Sequence, residues 1–417
     1  MAELPAPTGA RAPMLSLDEA LARLLGAVAP LGAADTVSTF DALGRVLAQH
    51  VVSLLDVPPA DNTSMDGYAL RAADVPQAGA VLRVSQRIPA GVVGAPLVAG
   101  SAARIFTGAQ VPPGADAVVM QEQCEALEGG AQVRVNQVPA AGQWVRRAGE
   151  DVRRGTAVLH AGTRLTAASL GLAASVGAAS LQVARRPRVA LFSTGDELVM
   201  PGDALRPGAI YNSNRFTLRG LLQALGCEVS DLGIVPDRLE ATREALRRAA
   251  SGNDLILTSG GVSVGEEDHL RPAVQAEGRL DLWQVAIKPG KPLAFGAVRG
   301  NGGEAHFIGL PGNPVSSFVT FLLLVRPVLL RLQGAAELAP RGFVQTAGFD
   351  WPQPDKRREF LRVRLDAASG RLALFPNQSS GVLTSAQWAD GLVDNPPGRA
   401  IAKGDAVRFL PMPELLC

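Results

Sequence analysis

Glycines, carboxylates and lysines recur in five short segments in the second half of the chain. The segments read Thr194-Gly195-Asp196-Glu197, Pro236-Asp237, Gly260-Gly261-Val262-Ser263-Val264-Gly265-Glu266-Glu267-Asp268, Lys288-Pro289-Gly290-Lys291 and Pro311-Gly312-Asn313-Pro314. Backbone N–H groups in glycine turns can hold phosphate oxygens, and carboxylates can hold Mg2+, a hard cation that accompanies phosphates. Lysines add positive charge opposite such an anion. These residue types indicate a site for a phosphorylated ligand and its metal.

The third segment has the glycine spacing of a phosphate-binding P-loop but lacks its basic residue. Four residues separate Gly260 from Gly265, and two glutamates follow where a Walker A motif has Lys and then Ser or Thr. The segment is therefore not a Walker A loop. In the functional interpretation, Lys288 and Lys291 supply the missing positive charge. In the structural alternative, the glycine pair is only a tight turn and each lysine only a solubilising group.

β-branched apolar runs precede these segments and alternate with helical patterns. Strands are predicted at residues 188–193, 227–235, 254–259, 282–287 and 305–310, and helices at residues 214–225, 237–251 and 268–277. This alternation is typical of βαβ units and predicts a doubly wound parallel sheet. Ligands of such sheets bind beyond the C-terminal ends of the strands, so the five segments are expected to form one rim.

The helix after the last segment has a strong start signal. Asn313 is a favourable N-cap residue, and Pro314 occupies the first helical position. The apolar run from Val315 to Val325 ends before Arg326 and Pro327. A helix that crosses a membrane needs about 20 apolar residues. The run is shorter than that, so a buried helix is expected here.

The rest of the chain shows helical patterns at its start and short β patterns elsewhere. Ser16 and Glu19 have capping-box spacing in an amphipathic helix predicted from Ser16 to Ala29. Short β-prone runs broken by Gly and Pro fill residues 51–138, and more follow Pro340. The predicted fold is a multidomain α/β protein with an N-terminal helical and linker domain (residues 1–50 plus 139–184), a mostly β insertion domain (51–138), a central α/β domain (185–335) and a small C-terminal β barrel (336–417).

Composition excludes several classes of protein. The 417 residues include 40 Lys plus Arg and 39 Asp plus Glu, a net charge of +1, so no overall field attracts a nucleic acid. An apolar content of 47% argues against disorder. The three cysteines are far apart, which excludes a disulfide framework and indicates a reducing compartment. The first residues do not resemble a signal peptide. A cytoplasmic protein without membrane contact is predicted.

Other catalytic patterns are not found in the sequence. The histidines show no metal-ligand spacing, and there is no Gly-x-Ser-x-Gly elbow or cysteine beside an apparent base. Nucleophilic acyl transfer therefore lacks its usual groups.

The arginine-rich stretch of residues 142–155 is read either as a solvated charged turn or as a functional loop.

Eight strings occur in a characteristic order along the chain. They are DNTSMDGYA (61–69), RIFTGAQVPPGADAVVMQE (104–122), AGEDV (148–152), FSTGDEL (192–198), YNSN (211–214), TSGGVSVGEEDH (258–269), IKPGKPLAFG (287–296) and GLPGNPVSSF (309–318). Together they resemble the molybdopterin molybdenumtransferase family of the MoeA type, which includes the E domain of gephyrin. A single string is weak evidence, whereas eight in register make a chance match implausible.

The resemblance implies an activity and an assembly. The family inserts molybdate into adenylylated molybdopterin: the dithiolene sulfurs capture the metal, the pyrophosphate link is cleaved and AMP leaves, with Mg2+ assisting. It also implies an elongated homodimer whose active sites are shared between subunits. Other proteins of molybdenum cofactor biosynthesis are expected as partners.

Site residues follow from the resemblance position by position. Glu197, Asp237, Asp268 and Lys288 are expected to be catalytic, with Glu197 and Asp268 near Mg2+. Lys288 and Lys291 are expected to contact phosphate or molybdate oxygens. The expected substrate-binding residues are Asp61, Thr107, Asp151, Gly260, Gly261, Ser263, Lys291, Pro311, Asn313, Arg357 and Ser380.

Two positions depart from the family pattern, and one assignment has two candidates. Gln284 follows Trp283 where some relatives carry a lysine, so one anion contact is expected to be missing or replaced. In the C-terminal region Gly381 stands where a histidine is expected after Ser380. The family arginine matches Arg357, with the adjacent Arg358 as the alternative.

Two other functions compete with the molybdate-inserting enzyme. A molybdopterin adenylyltransferase has a similar α/β domain, but it lacks the roughly 180 residues that precede that domain here. A non-catalytic pterin-binding scaffold is the second alternative, because gephyrin uses the same fold to bind a receptor peptide. The retained acidic and lysine residues favour the enzyme.

Overall fold

The central sheet combines parallel and antiparallel strands. The computed structural model describes residues 14–261 and 269–416. In spatial order, the six strands of this sheet are Glu228–Val235, Arg188–Thr194, Leu255–Ser259, Gly303–Leu310, Pro292–Gly300 and Gly278–Gln284. The first four run parallel to one another. The last two pair antiparallel at one edge. The α/β fold class is confirmed, but the expectation of a wholly parallel sheet is wrong at this edge.

The antiparallel edge has a local cause. A parallel neighbour requires a crossover connection of about a dozen residues or more. Only residues 285–291 join Gly278–Gln284 to Pro292–Gly300, so this pair forms a hairpin. The strand predicted at residues 282–287 begins earlier than expected, at Gly278. The observed strand ends at Gln284, and Ile287, the last residue of the predicted strand, lies with Lys288 in a separate short strand that pairs with Arg358–Leu365.

Helices cover both faces of the central sheet. The three predicted helices are confirmed as Ser213–Ala224, Leu239–Ala250 and Leu270–Glu277. Leu218 and Leu222 of the first helix pack in one core with residues of Leu17–Ala27 and of the segment 314–332. Leu246 and Val274 of the other two helices pack in a second core on the opposite face. This two-sided packing is the doubly wound arrangement predicted from the sequence.

The apolar segment after residue 313 is longer than predicted. It contains the α-helix Pro314–Thr320, a π-helical turn Phe321–Val325 and the α-helix Arg326–Leu332. Widening of the helix accommodates Pro327, which has no N–H to donate. In length and composition the segment Pro314–Leu332 would suffice for a membrane span, but 94% of its 18-residue apolar window is buried inside the protein. It is a core helix, and Arg326 within it donates a hydrogen bond to the Leu338 carbonyl.

The N-terminal part combines one helix with paired short strands. The helix Leu17–Ala27 begins at Ser16, whose side chain and that of Glu19 form the predicted capping box. Strand pairs then join distant segments: Ala34–Ser38 with Ser180–Ala184, Val51–Val52 with Ala157–Leu159, and Asn62–Thr63 with Val145–Arg146. The helix Ala167–Ser175 packs near these strands.

Two further six-stranded sheets complete the described chain. One has the order Ala117–Met120, Gly67–Leu70, Ser101–Ile105, Ala80–Ile88, Gln132–Val135 and Cys124–Leu127. The other, called the C-terminal sheet, has the order Ile287–Lys288, Arg358–Leu365, Gly391–Asn395, Ala406–Pro411 and Phe343–Thr346, with Leu372–Leu374 beside Arg358–Leu365. The short helices Leu383–Trp388 and Met412–Leu416 accompany the C-terminal sheet. Ile287–Lys288 follows the edge strand of the central sheet along the chain and is hydrogen-bonded in the C-terminal sheet, so it connects the two sheets.

Candidate active site

A cleft of about 1030 Å³ lies between the C-terminal ends of the parallel strands and the C-terminal sheet. Its walls contain residues of all five segments that were predicted to form one rim. The expected site residues that line it are Glu197, Asp237, Gly260, Gly261, Lys288, Lys291, Pro311, Asn313, Arg357 and Ser380. Ser263 and Asp268 lie outside the described residues. The volume is at the upper end of the range for small-molecule sites, which suits a ligand as large as a nucleotide.

Two glycines at the floor of the cleft allow a close approach of backbone segments. Gly260 has φ +88°, and a Cβ atom there would lie 2.9 Å from the Thr194 carbonyl oxygen. Gly261 has φ +67°, and its Cβ would lie 2.8 Å from Thr194 Oγ1. Both positions therefore require glycine for conformation and for space. The pair is a tight turn, and it also forms part of the cleft wall.

One side of the cleft is acidic. Glu197 folds back over Gly195, since a Cβ on that glycine would lie 2.6 Å from Glu197 Oε2. The backbone N–H of Asp237 donates to Asp196 Oδ1 at 3.3 Å, which joins the loops after two neighbouring strands. Glu197 and Asp237 both line the cleft. Two carboxylates from adjacent loops therefore face the same space.

These carboxylates are suitable oxygen donors for Mg2+. Within residues 14–261 and 269–416, no group of three or more His, Cys, Asp or Glu residues is arranged to hold a metal ion. Mg2+ commonly uses one or two carboxylates and takes its other ligands from water and substrate phosphates. Glu197 and Asp237 fit that mode, in which the metal depends on the substrate for part of its shell.

The opposite side of the cleft is cationic. Lys288 lies directly across from Glu359 in the parallel pairing of Ile287–Lys288 with Arg358–Leu365. Its Nζ is 3.2 Å from Glu359 Oε1 and 3.5 Å from Asp355 Oδ2. Lys291 lines the cleft three residues later, and its ammonium group makes no ion pair with the described part of the chain. Lys288 is therefore already paired with two carboxylates, whereas Lys291 is not paired with any described residue.

The structure distinguishes Arg357 from Arg358. Arg357 lines the cleft and forms a bidentate pair with Asp355, with Nε–Oδ1 at 3.0 Å and Nη2–Oδ2 at 2.8 Å. The Arg357 guanidinium holds the pKa of the Asp355 carboxyl well below its usual range. Arg358 instead pairs with Asp394 at 2.6 and 2.7 Å. Only Arg357 is placed to meet a ligand in the cleft.

A C-terminal loop closes one end of the cleft. The Ser380 carbonyl accepts a hydrogen bond from Val315 N at 2.9 Å, and the Asn313 side chain makes no capping hydrogen bond. The predicted N-cap position of Asn313 is confirmed, but a carbonyl from the C-terminal loop, and not the Asn313 side chain, accepts the Val315 N–H. Asn313 does occupy the N-cap position, with Pro314 first in the helix.

The two departures from the family pattern have different surroundings. Gly381 lines the cleft, and a Cβ atom there would meet nothing within 4 Å, so the site has room for a larger side chain. Gln284 is not among the residues that line the cleft. Its carbonyl accepts a hydrogen bond from Leu15 N at 2.8 Å, which attaches the N-terminal segment to the edge strand.

The start of the helix Ser213–Ala224 contributes site residues that sequence reasoning did not assign. Tyr211, Asn212, Ser213 and Asn214 all line the cleft. Asn212 caps the helix by accepting from Arg215 N at 3.1 Å. Asn214 Nδ2 donates to the Gly312 carbonyl at 2.7 Å and so ties the helix to the loop of residues 311–314. The available signal was the YNSN string followed by a helical pattern.

Asp61, Thr107 and Asp151 lie outside the cleft, in the N-terminal half of the chain. Asp61 accepts hydrogen bonds from Ala148 N at 2.9 Å and Arg147 Nη1 at 2.6 Å, and the Ala148 N–H is the main cause of its lowered pKa. Thr107 donates from both N and Oγ1 to Asp66 at 2.7 Å. The charged stretch of residues 142–155 thus holds Asp61 rather than being only a solvated turn. These residues, with Asp66 and Arg147, form what we call the distal cluster: Asp61, Asp66, Thr107, Arg147 and Asp151.

Three family models match most of the chain. The MoeA N-terminal region (domain I and II) matches residues 15–177, the "Probable molybdopterin binding domain" matches residues 190–331, and the MoeA C-terminal region (domain IV) matches residues 345–412. The second matched region contains most of the segments that line the cleft.

Individual relatives are similar over nearly their whole length. The molybdopterin molybdenumtransferase of Haemophilus influenzae is 40% identical over 359 residues, which cover 86% of this chain and 84% of the relative. That of a Nostoc species is 37% identical over 390 residues, covering 91% and 89%. Among solved structures, a molybdopterin biosynthesis MoeA protein from Pyrococcus horikoshii is 29% identical, with a TM-score of 0.82 and coverage of 96% and 100%.

Proposed function

The chain belongs to the molybdopterin molybdenumtransferase family of the MoeA type, and we propose that its cleft inserts molybdate into adenylylated molybdopterin in an Mg2+-dependent reaction that releases AMP. The family assigns the chain to molybdenum cofactor biosynthesis as a transferase that inserts molybdenum. The observation that carries the finer proposal is the meeting of an acidic side and a cationic side in one large cleft.

The cationic side is the proposed site for the oxyanions of the reaction. Lys288, Lys291 and Arg357 line one wall of the cleft, together with Ser380. In a cleft partly shielded from water, such donors stabilise charge that develops on phosphoryl oxygens more strongly than water does. They also hold molybdate near the pterin sulfurs, so that positioning contributes to the rate. No covalent protein nucleophile is needed for this reaction.

The acidic side is the proposed location of the metal. Glu197 and Asp237 would hold Mg2+ together with oxygens of the pyrophosphate link, and Asp268 is proposed as a further ligand. When bound, Mg2+ supplies neutralisation of charge on the phosphoryl oxygens. Asp237 also faces the substrate directly. Gly260 and Gly261 line the cleft close to the proposed position of its phosphates.

A homodimer with shared active sites is part of the proposal. Several exposed apolar side chains lie near the turn at residues 177–179: Phe40 is 92%, Leu43 62% and Leu54 77% exposed. Thr39 Oγ1 donates to the Ala178 carbonyl, and Leu55 lies beside Gly177, so these side chains flank the same turn. Large exposed apolar patches mark protein–protein contacts. Burying this patch against a second subunit is consistent with the proposed dimer.

The same proposal includes a cellular setting. Adenylylated molybdopterin is the product of another enzyme, and the finished cofactor is transferred to others, so proteins of molybdenum cofactor biosynthesis are proposed partners. We place the reaction in the cytoplasm. Among the described residues Cys124 and Cys227 are free thiols, in keeping with the reducing compartment predicted from the sequence.

The decisive experiment supplies purified protein with adenylylated molybdopterin, Mg2+ and molybdate, and measures AMP release and pterin-bound molybdenum together. We expect both products in equal amounts, and neither without molybdate or after chelation of Mg2+. Asp268→Ala is expected to abolish AMP release while the protein stays folded. Formation of adenylylated product from molybdopterin and ATP would instead support an adenylyltransferase. Pterin binding without AMP release would support a scaffold.

A further inference from the structure

Two cations of the cleft are held by carboxylates that do not themselves line it. Arg357 and Lys288 line the cleft, whereas Asp355 and Glu359 are not among its lining residues. Asp355 contacts both cations, through the bidentate pair with Arg357 and through Lys288 Nζ at 3.5 Å. A ligand in the cleft therefore meets the cations first, with the carboxylates behind them.

The pairing leaves particular donors of each cation for a ligand. Asp355 accepts from Nε and Nη2 of Arg357, and Nη1 makes no hydrogen bond with the described residues. Because the guanidinium is planar, fixing one edge also fixes the direction of the remaining nitrogen. Lys288 Nζ has three donors, of which one is directed to Glu359 at 3.2 Å.

Burial and several hydrogen bonds fix the position of the Glu359 side chain. Its side chain is 1% exposed. It accepts hydrogen bonds from Trp351 Nε1 at 2.8 Å and from Asn395 Nδ2 at 3.4 Å, in addition to Lys288. A buried carboxylate is stabilised by pairing and hydrogen bonding, and Lys288 provides the paired charge for Glu359. The backbone pairing of Lys288 with Glu359 adds a second restraint on the lysine.

We propose that Asp355 and Glu359 are positioning residues, which aim Arg357 and Lys288 at a tetrahedral oxyanion in the cleft. The inference rests on the proposed function, in which that oxyanion is molybdate or the phosphate of the nucleotide. The Arg357 guanidinium keeps the pKa of the Asp355 carboxyl far below neutrality, so the pair is charged under all working conditions. Glu359 lies in the strand Arg358–Leu365 of the C-terminal sheet, and Asp355 lies shortly before that strand. Lys288 belongs to Ile287–Lys288, which follows the edge strand of the central sheet in sequence but pairs in the C-terminal sheet.

A matched ion pair elsewhere in the chain provides a control. Arg185 and Asp254 form a bidentate pair at 2.9 and 2.8 Å, with side chains 25% and 17% exposed. The corresponding exposures of Arg357 and Asp355 are 24% and 19%. Each aspartate also accepts one backbone N–H. Asp254 immediately precedes the parallel strand Leu255–Ser259. It therefore lies at the N-terminal end of the strands, and the cleft lies at their C-terminal end.

The test compares Asp355→Asn with Asp254→Asn in the full-length protein. We expect Asp355→Asn to raise the KM for molybdate about tenfold with a smaller change in kcat, because a misaimed donor weakens binding. Both variants lose a bidentate ion pair of similar exposure, so we expect them to lower Tm by similar amounts. Asp254→Asn should nevertheless leave the KM for molybdate unchanged. If Asp355→Asn does not fold, Asp355→Glu keeps the charge but displaces it, and the same rise in KM is expected.

Direct titration separates the possible ligands and does not require turnover. Calorimetry with molybdate alone and with AMP alone, on wild type and Asp355→Asn, shows which anion loses affinity. Loss for either one supports the inference and identifies the oxyanion. Unchanged affinity for both, or an equal rise in KM in Asp254→Asn, would overturn it. Failure of the wild type to release AMP would refute the proposed function separately.

Discussion

Lys288 and Lys291 belong to one turn, yet their charges are available to a ligand to different degrees. Lys288 Nζ is within 3.5 Å of two carboxylates, Asp355 and Glu359. Lys291 makes no such pair within the part of the chain that the structure describes. A charge already balanced by neighbours attracts an incoming anion less than an unbalanced one. At the scale of single residues, Lys291 is therefore the main attractive charge and Lys288 the better oriented donor.

Lys291→Gln should weaken the binding of anions without destabilising the fold. A hydrogen bond to a charged group contributes about 1.5–3 kcal/mol, which corresponds to a loss of affinity of about 10- to 100-fold. Calorimetric titration with AMP and with molybdate measures the loss. Lys403→Gln, an exposed lysine outside the cleft, is the control and should bind both ligands like the wild type. Equal affinities for all three proteins would contradict the assignment of Lys291.

At the scale of secondary-structure elements, a turn and a pair of helices support the cleft. The glycine turn after the strand Leu255–Ser259 brings its backbone against Thr194, at the end of the neighbouring strand. On one face of the sheet, Glu277 at the end of one helix binds Arg243 and Arg247 of the preceding helix. The first contact shapes the cleft floor, while the second holds two helices against the sheet that carries it.

Gly260→Ala is expected to be more destabilising than Gly252→Ala. Both glycines have positive φ, +88° and +80°, so an alanine at either place incurs the left-handed penalty of about 1–2 kcal/mol. At Gly260 the new Cβ would also lie 2.9 Å from a backbone oxygen, whereas at Gly252 nothing lies within 4 Å. Urea unfolding measures the difference. Equal free energies of unfolding for the two variants would show that the close approach does not matter.

Glu277→Gln should change how stability depends on pH. The Arg247 side chain, followed by that of Arg243, lowers the pKa of Glu277 in the folded protein. A carboxyl whose pKa is depressed by folding adds stability above its unfolded pKa of about 4.3, and that stability is lost as pH falls through the folded pKa. The free-energy difference between wild type and Glu277→Gln should be constant from about pH 8 to pH 6 and shrink below about pH 4.

The pH prediction is checked by urea unfolding at each pH. Glu240→Gln is the matched control, since Glu240 binds the same Arg243 but its side chain is 74% exposed. Exposed ion pairs contribute little, so this variant should be close to wild type throughout. A difference between wild type and Glu277→Gln that stays unchanged at acid pH would rule out the linkage.

At the scale of the whole molecule, the distal cluster is separate from the cleft in a single chain. Asp61 and Thr107 hydrogen-bond to Arg147 and Asp66 in the N-terminal half, and neither lines the cleft. Asp151 is placed next to Val57 by backbone hydrogen bonds. If these residues bind substrate, as the family resemblance implies, a second subunit must bring them to the cleft. The shared-site homodimer is the arrangement that satisfies this requirement.

Mixing two inactive variants tests that arrangement. Asp61→Ala and Asp268→Ala homodimers should each fail to release AMP. Coexpression of the two should give heterodimers in which one of the two sites has both intact residues, and an overall activity of about one quarter of wild type for random pairing. Different affinity tags on the two variants, purified in tandem, verify that heterodimers have formed. A mixture as inactive as its parents, with heterodimers present, would show that each site is built within one chain.

Local features of the fold were predictable because neighbouring residues encode them. The Ser16–Glu19 capping box, the three helices between the parallel strands and the rim of glycine, carboxylate and lysine segments were all predicted from spacing. The predicted cleft residues that follow the parallel strands, such as Glu197, Asp237 and Gly260, were expected from one rule, that parallel strands end at the same edge. The roles of these residues, and the domain boundaries, stay predictions.

Tertiary structure decided what depends on contacts between distant segments. The pairing of Ile287–Lys288 with Arg358–Leu365, the Ser380 carbonyl at the start of the helix Pro314–Thr320, and the choice of Arg357 over Arg358 all came from such contacts. Lys288 and Glu359 are 71 residues apart in sequence, and no periodicity relates them. The sequence by itself determined which chemical groups are present and at which strand ends they lie. Only tertiary packing decided which of these groups are paired. Lys288 meets Glu359 because the short strand after the central sheet's edge strand joins the C-terminal sheet.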